Sequence, residues 1–234
     1  CYHKCLTLYF DRVFRKLSER IGLTYQYEPE GGKVPSNVDV VLFPHGEMDW
    51  DAVPANLRGS HIIRDPRDLL VSAYHYHLRT TEEWCAKPNP AHKRLGADES
   101  YQDRLHSLSQ EDGILFELSN VSGAIISSMS KWPYEDERIL ELRFETMVGN
   151  ERDHFQRIFE WYGMPEEHLA IALDIAESLS LKKLPSNAEG LQHARPGSKH
   201  GQWREFFTPK IKAVFKERYA DAVITLGYES NNDW

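Results

Sequence analysis

The chain has 234 residues, of which 41% are hydrophobic and 27% charged, and its net charge is −8 at pH 7. These proportions are typical of a folded globular protein and exclude a largely disordered one. The acidic balance argues against a protein that coats nucleic acid, and no apolar run reaches the ~20 residues of a membrane-spanning helix. The cysteines Cys1, Cys5 and Cys85 are too few for a disulfide framework, which favours a reducing, cytoplasmic setting.

The first predicted element is an amphipathic helix that ends near Gly22. Its apolar residues recur at the i, i+3, i+4 spacing of one helical face, and they are Leu6, Tyr9, Phe10, Val13, Phe14 and Leu17. An α/β domain usually begins with a strand, yet this chain starts at Cys1 and is already helical at Leu6. We therefore expect the first strand to be truncated and residues upstream of Cys1 to complete it.

Four short apolar or β-prone segments predict strands, at residues 24–27, 38–43, 61–63 and 139–144. Helical patterns separate them along the chain. Strands that alternate with helices imply an α/β fold with a mainly parallel sheet flanked by helices. No linker divides the sequence, so we expect residues 1–234 to form a single domain.

The remaining helices are predicted where a capping residue precedes an apolar-periodic run. Asp65, Ser109 and Thr208 are favoured N-cap residues, and the proline after Asp65 and Thr208 loses no hydrogen bond at the first helical position. The predicted helices begin at Pro66, extend from Ser109 to Ser130, cover 150–162, extend from Pro165 to Leu179, and extend from Pro209 to Gly227. The polar segments 80–98 and 184–201 are predicted to be loops.

The most informative segment leads from the third strand into the next helix and reads Arg64-Asp65-Pro66-Arg67-Asp68-Leu69-Leu70-Val71-Ser72. Open α/β sheets bind ligands at the carboxyl ends of their strands, where Arg64 would present a planar cationic fork suited to phosphate. Ser72 sits two turns into the helix, where a hydroxyl can donate to an anion lying against that helix. A surface Arg–Asp pair with a solvent-facing serine is the other interpretation of these residues.

The run from Ile62 to Tyr76 resembles the 3′-phosphate-binding segment of the soluble sulfotransferases, which reads hydrophobic strand, Arg-Asn/Asp-Pro-Lys/Arg-Asp and Val-Ser-x-Tyr. The resemblance implies the P-loop-kinase-like sulfotransferase fold. It also implies that the cosubstrate is 3′-phosphoadenosine 5′-phosphosulfate (PAPS), that the product is adenosine 3′,5′-bisphosphate (PAP), and that Arg64 and Ser72 hold the 3′-phosphate.

The segment before the first helix, Tyr2-His3-Lys4-Cys5-Leu6-Thr7-Leu8, resembles the 5′-phosphosulfate loop of the same family, Pro-Lys-Ser-Gly-Thr-Thr. Backbone N–H groups at a helix N-terminus form an anion site by geometry. The resemblance implies that Lys4 stabilises charge on the bridging oxygen of the leaving group and that Thr7 donates to the phosphate. Cys5, Leu6 and Leu8 belong to the same loop. Leu6 replaces the usual glycine and Leu8 the second threonine, so the loop lacks glycine's freedom and one hydroxyl.

The second strand is followed by Phe43-Pro44-His45-Gly46. In the soluble sulfotransferases a histidine after the corresponding strand is the general base, and the ordinary titration range of histidine near neutrality suits that task. The resemblance implies this role for His45. Glu47 is the rival base, since some branches of the family use a carboxylate there.

Two further segments resemble nucleotide-binding parts of the family. Arg195-Pro196-Gly197-Ser198-Lys199-His200-Gly201-Gln202-Trp203 is similar to its C-terminal Arg-Lys-Gly-x-x-Gly-x-Trp loop, which implies that Arg195, Pro196 and Gly197 close over the 3′-phosphate. Pro196 replaces the usual lysine, so one cation is lost unless Lys199 substitutes. Phe144, which ends the fourth predicted strand, is implied to lie against the adenine.

Together these segments predict an enzyme that transfers a sulfuryl group from PAPS to a hydroxyl of a small-molecule or glycan acceptor. In-line displacement needs positioning and electrostatic stabilisation, with no covalent intermediate. No metal and no nucleic-acid partner is expected, and the acceptor pocket should lie largely in 80–131. The alternatives are a P-loop-type nucleotide kinase or NTPase, against which no Gly-x-x-x-x-Gly-Lys-Ser/Thr occurs, and an inactive nucleotide-binding protein of the same fold.

Overall fold

The structure is a computed structural model that describes residues 1–90, 92, 95–180 and 200–234. The chain splits into two compact units. The first unit consists of Cys1–Arg64 and the described part of Trp132–Leu191, and the second of Asp65–Lys131 and the described part of Gln192–Trp234. In the described residues, all strands belong to the first unit and the second unit is helical.

The strands are β1 (Tyr25–Tyr27), β2 (Val40–Leu42), β3 (Gly59–Ile63) and β4 (Ile139–Arg143). β1 pairs in parallel with β2, and β3 pairs in parallel with β4. The predicted α/β class with parallel strands is therefore confirmed. Among the described residues the hydrogen-bonded ladders form two separate pairs.

The first residues of the chain contact the ends of both strand pairs but form no strand between them. The backbone nitrogen of Cys1 donates to the carbonyl of Phe43, just after β2, and Arg64, just after β3, donates to the carbonyl of Lys4. Residues 3–6 form a turn, with Lys4 at a φ of 65°, so this segment forms no strand ladder between the pairs.

The described helices are, in chain order, α1 (Thr7–Ile21), α2 (Pro66–His77), α3 (Glu83–Ala86), α4 (Tyr101–Ser107), α5 (Gln110–Leu118), α6 (Val121–Ser130), α7 (Phe144–Met147), α8 (Glu151–Trp161), α9 (Glu166–Ser178), α10 (Trp203–Phe206) and α11 (Pro209–Thr225). Two single 3-10 turns cover Glu30–Gly32 and Trp50–Ala52. Among the described residues, every helix is too short or too polar to be a membrane span.

The predicted face of α1 forms the core of the first unit. All its predicted apolar residues except Leu6 are buried, and Tyr9 and Phe10 each lie 5.3 Å, between ring centroids, from Phe155 of α8. The helix ends where predicted, since Gly22 takes a left-handed φ of 76° and its N–H donates to Ser18. This packing fixes the start of α1, on which the candidate site is built.

Sequence reasoning placed the start of α2 and α11 correctly. Asp65 accepts the N–H of Arg67 as the N-cap of α2, and Thr208 accepts the N–H of Ile211 as the N-cap of α11. Leu69 and Leu70 of α2 are fully buried in the second unit. Both starts are set by local capping chemistry that a sequence displays directly.

The prediction of one helix from Ser109 to Ser130 was wrong in one respect, because the helix is interrupted at Ser119 and Asn120 and forms two helices, α5 and α6. Asn120 has φ −128° and ψ −108°, outside the helical region. The carboxylate of Glu117 accepts both the N–H and the hydroxyl of Ser122, which starts a new helix at that point.

The predicted loop 80–98 likewise contains the short helix α3, and the predicted fourth strand ends one residue early because Phe144 begins α7. Nearly all of the predicted loop 184–201 lies outside the described residues.

Glu117 is the centre of a buried network in the second unit. Its carboxylate lies 2.8 Å from His77 Nδ1 of α2, and accepts the hydroxyls of Tyr101 of α4 at 2.9 Å and Ser122 of α6 at 2.7 Å. Burial opposes ionisation of Glu117, but the charge of His77 and the hydrogen bonds from these partners outweigh it and lower its pKa. One carboxylate therefore connects four helices.

Replacing Glu117 with alanine should destabilise the protein by about 3–5 kcal/mol, because three buried polar groups lose their common partner. Glu83→Ala is the matched control, since Glu83 is exposed and forms a surface pair with Lys87, four residues later. That change should cost less than about 0.5 kcal/mol. Urea denaturation followed by circular dichroism measures both. Equal losses for the two variants would show that the network does not hold the second unit together.

Candidate active site

The segment predicted to bind the phosphosulfate forms a tight turn that leads into α1. The carbonyl of Tyr2 accepts the N–H of Cys5 at 3.0 Å and the hydroxyl of Thr7 at 2.9 Å. Lys4 and Leu6 both take left-handed φ angles, 65° and 63°. Leu6 therefore adopts the conformation that glycine favours, at a cost of roughly 1–2 kcal/mol. The absence of glycine therefore strains this turn.

The N-terminus of α1 can accept an anion, because its own residues place neither a capping side chain nor a carboxylate there. Its N-cap Leu6 makes no side-chain cap, and its first turn holds no acidic residue. By contrast, α2 begins with the carboxylate of Asp65 and carries Asp68 in its first turn. The first N–H groups of a helix have no partner within the helix and carry the positive end of its dipole. Thr7 and Leu8 occupy these positions in α1.

Cys5 turns its side chain into the core of the first unit. Its thiol is fully buried, and burial raises its pKa to about 12. It therefore stays protonated near neutral pH and is no nucleophile. Its N–H already donates to Tyr2, so within this turn Cys5 supports the loop.

Arg64 lies where the third strand delivers it and is only 4% exposed. Its Nη1 donates to the Lys4 carbonyl at 3.1 Å, and its guanidinium carbon lies 4.1 Å from the ring centroid of Phe144. Its Nε is buried without a hydrogen-bond partner among the described residues. The structure thus brings three predicted site residues, Lys4, Arg64 and Phe144, into contact. It places the Phe144 ring against a guanidinium.

His45 lies in a turn after β2 that packs against the first residues of the chain. Gly46 has a φ of 69°, and a Cβ built there would fall 2.3 Å from Cε1 of the Tyr2 ring. Only glycine satisfies both the backbone angle and this approach. His45 itself is about half exposed, and its Nε2 lies 3.6 Å from Oε1 of Glu28. Glu47 follows in the same loop and is exposed.

The other predicted site residues are not part of this group. Ser72 lies in α2, in the second unit, and is partly exposed. Arg195, Pro196 and Gly197 lie outside the described residues, as does Lys199.

Sequence reasoning missed two residues of the Arg64–Ser72 segment that organise the second unit. Asp68 is buried, and its carboxylate accepts the N–H of Gly201 at 2.6 Å and of Trp203 at 2.9 Å. The guanidinium of Arg67 lies against the rings of Trp203 and Trp234, at 4.1 and 4.5 Å. The two resembling segments are therefore tied together at Gly201–Trp203. The signal was present, since both segments belonged to one family pattern.

Asp65, Asp68 and His200 also place three potential metal-ligating atoms within 4.8 Å of one another. The carboxylate of Asp65 binds the guanidinium of Arg67 through both oxygens, and that of Asp68 accepts two backbone amides. Hydrogen bonds and ion pairs within the second unit are enough to explain why these three side chains lie close together.

Comparison with known proteins identifies the family. The family model described as the sulfotransferase domain matches residues 54–227, most of the chain. The chain belongs to the sulfotransferase family. The matched range of this sulfotransferase includes Arg64 and Ser72 but begins after the Lys4 turn and His45.

Two solved structures are similar to this sulfotransferase. Mouse sulfotransferase SULT7A1 complexed with PAP has 17% sequence identity and a TM-score of 0.55, over 95% of this chain and 81% of that chain. Retinol dehydratase in complex with androsterone and inactive cofactor PAP has 18% identity and a TM-score of 0.42, over 81% of this chain and 55% of that chain. The first similarity shows a shared fold. Among curated proteins, no sequence matches the chain significantly.

The strain at Leu6 reverses the usual preference between alanine and glycine. We expect Leu6→Gly to be more stable than Leu6→Ala by about 1 kcal/mol, because only glycine takes a left-handed φ freely. At exposed Lys16 inside α1 the order should be the normal one, with alanine about 1 kcal/mol better than glycine. Chemical denaturation of the four variants compares the sites. The same order at both positions would mean that Leu6 is not strained.

Proposed function

We propose that this sulfotransferase transfers the sulfuryl group of PAPS to the hydroxyl of a small-molecule or glycan acceptor, as one catalytic domain over residues 1–234 working in the cytoplasm. The observation that carries the proposal is the contact group in the first unit. The Lys4 turn bonds to Arg64, and the turn that bears His45 packs on Tyr2 of the same segment. Cys1, Cys5 and Cys85 are free thiols, as expected in a reducing compartment.

The N-terminus of α1 suits the 5′-phosphosulfate. Backbone N–H groups of Thr7 and Leu8 supply donors, and the helix dipole favours an anion there. Lys4 adds a positive charge for the bridging oxygen as it becomes the leaving group. The hydroxyl of Thr7 has one proton, which it gives to Tyr2 in this structure. To serve the phosphate it must rotate, and the Cys5 N–H then keeps the turn closed.

Arg64 suits the 3′-phosphate because it is a buried cation whose Nε is unpaired among the described residues. A charge-assisted hydrogen bond to phosphate is worth about 1.5–3 kcal/mol. The packing of its guanidinium on Phe144 fixes the plane of the fork. The roles proposed for Ser72, Arg195, Pro196 and Gly197 at this phosphate, and for Phe144 at the adenine, rest on the sequence resemblance.

The proposed reaction is an in-line displacement at sulfur. The acceptor oxygen forms the new S–O bond while the bond from sulfur to the phosphate oxygen breaks, and PAP leaves with that electron pair. His45 takes the proton of the acceptor hydroxyl as the oxygen attacks. General base catalysis of this kind contributes roughly 10²–10⁴-fold, and the rest comes from positioning and charge stabilisation.

Nucleotide recognition is tested by thermal unfolding with PAP or ATP. PAP at 100 times its dissociation constant should stabilise the wild type by about 2.7 kcal/mol, while ATP should not. Arg64→Lys keeps the charge but loses the planar fork, so PAP affinity should fall about tenfold or more. Arg58→Lys is the control, since Arg58 is exposed and packs on Trp161, and its change should leave PAP affinity intact. Stabilisation by ATP alone would favour a nucleotide kinase.

Transfer and the identity of the base are tested together with labelled PAPS and a panel of phenols, alkyl alcohols, steroid alcohols and sugars, read by mass spectrometry. His45→Ala should lower turnover with an alkyl alcohol by about 10²-fold or more, because that hydroxyl needs a base. It should change turnover with 4-nitrophenol much less, because this phenol is already partly ionised near neutral pH. Glu47→Ala should preserve both activities.

A loss with Glu47→Ala in place of His45→Ala would move the base to Glu47. PAP binding without a sulfated product from any panel member would identify an inactive nucleotide-binding protein of the same fold.

A further inference from the structure

Backbone strain in the described residues is concentrated at the candidate site. Outside glycine, the residues with positive φ among those described are Lys4, Leu6 and Glu28. Two of them form the proposed phosphosulfate turn. The third, Glu28, has a φ of 49°, and its carboxylate lies at ion-pair distance from His45. Non-glycine residues in this region are strained, persist only where their surroundings fix them, and cluster at active sites.

Glu28 is held in place by the strand pair that also delivers His45. It directly follows β1, and its N–H donates at 2.9 Å to the carbonyl of Leu42, the last residue of β2. His45 leaves the same end of β2 three residues later, in the turn that Gly46 packs against Tyr2. The backbones of both residues are therefore fixed relative to one another, although their side chains are solvent-exposed.

The side chains of this pair meet at ion-pair distance. Glu28 Oε1 lies 3.6 Å from His45 Nε2, and the two side chains are 56% and 55% exposed. This separation exceeds a hydrogen bond, as catalytic pairs often do in the absence of substrate. A plain surface ion pair contributes little to stability, which gives no reason for a strained backbone.

We propose that Glu28 is a positioning residue for His45, which holds the imidazole with Nε2 toward the carboxylate and leaves Nδ1 to receive the acceptor's proton. The inference rests on the proposed function, because it needs His45 to be the base. A carboxylate on one ring nitrogen selects the tautomer whose other nitrogen carries a lone pair.

The proton balance follows from this geometry. In the ground state Nε2 carries the hydrogen and faces Glu28. As the acceptor oxygen bonds to sulfur, its proton moves to Nδ1, and the ring becomes an imidazolium whose charge the Glu28 carboxylate offsets. PAP leaves with the electron pair of the broken S–O bond, so no oxidant, reductant or further reactant is needed.

The test is a double-mutant cycle of Glu28→Gln and His45→Ala, with labelled PAPS and the best alkyl alcohol and 4-nitrophenol as acceptors. The change at Glu28 keeps the size of the side chain and removes its charge. We expect Glu28→Gln to lower kcat for the alcohol by about 2- to 5-fold, the rate equivalent of an exposed ion pair, while KM for PAPS stays unchanged. In the His45→Ala background the same change should have no further effect.

The acceptors and a matched control separate positioning from a structural role. Glu30→Gln makes the same charge change two residues away, at an exposed position, and should leave kcat unchanged. If Glu28→Gln slows the alcohol and the phenol alike, or stays additive with His45→Ala, or equals Glu30→Gln, the inference is overturned while the proposed function stands. If the wild type sulfates no panel member, the proposed function fails and the inference fails with it.

Discussion

The first unit of this sulfotransferase depends on one buried guanidinium. Arg64 donates to the Lys4 carbonyl and lies on the Phe144 ring, so the turn before α1, the end of β3 and the start of α7 share one partner. A carbonyl and a ring offset only part of the cost of burying a cation. Under the proposed function a phosphate would offset the rest of the desolvation cost of the guanidinium. That offset would contribute to the free energy of nucleotide binding.

Local interactions were readable from the sequence, and those between distant residues were not. Asp65 followed by Pro66 predicts the start of α2, because cap and proline act within one turn. The break between α5 and α6 has no such signal. It depends on the position of the Glu117 carboxylate, which contacts with His77 and Tyr101 fix only in the folded protein. Periodicity alone continues through that break.

The candidate site divides in the same way. The order of the family segments was enough to name Lys4, His45 and Arg64, and the structure places all of them in the first unit. The sequence showed that the loop lacks glycine at position 6, and the structure shows that Leu6 takes a left-handed angle there, in a turn whose Tyr2 carbonyl accepts two hydrogen bonds. Glu28 carries no signal of its own, since it matters only through its contact with His45, which folding brings beside it.

The contact between Gly46 and Tyr2 limits which residues two loops can carry together. A side chain at position 46 would enter the Tyr2 ring, so the loop beside the proposed acceptor site cannot vary freely while an aromatic residue stands at position 2. A library that randomises this loop to alter acceptor choice would lose most members that change position 46. A smaller residue at position 2 would remove the clash but not the strain of the positive φ at position 46, so any redesign of this loop should keep Gly46.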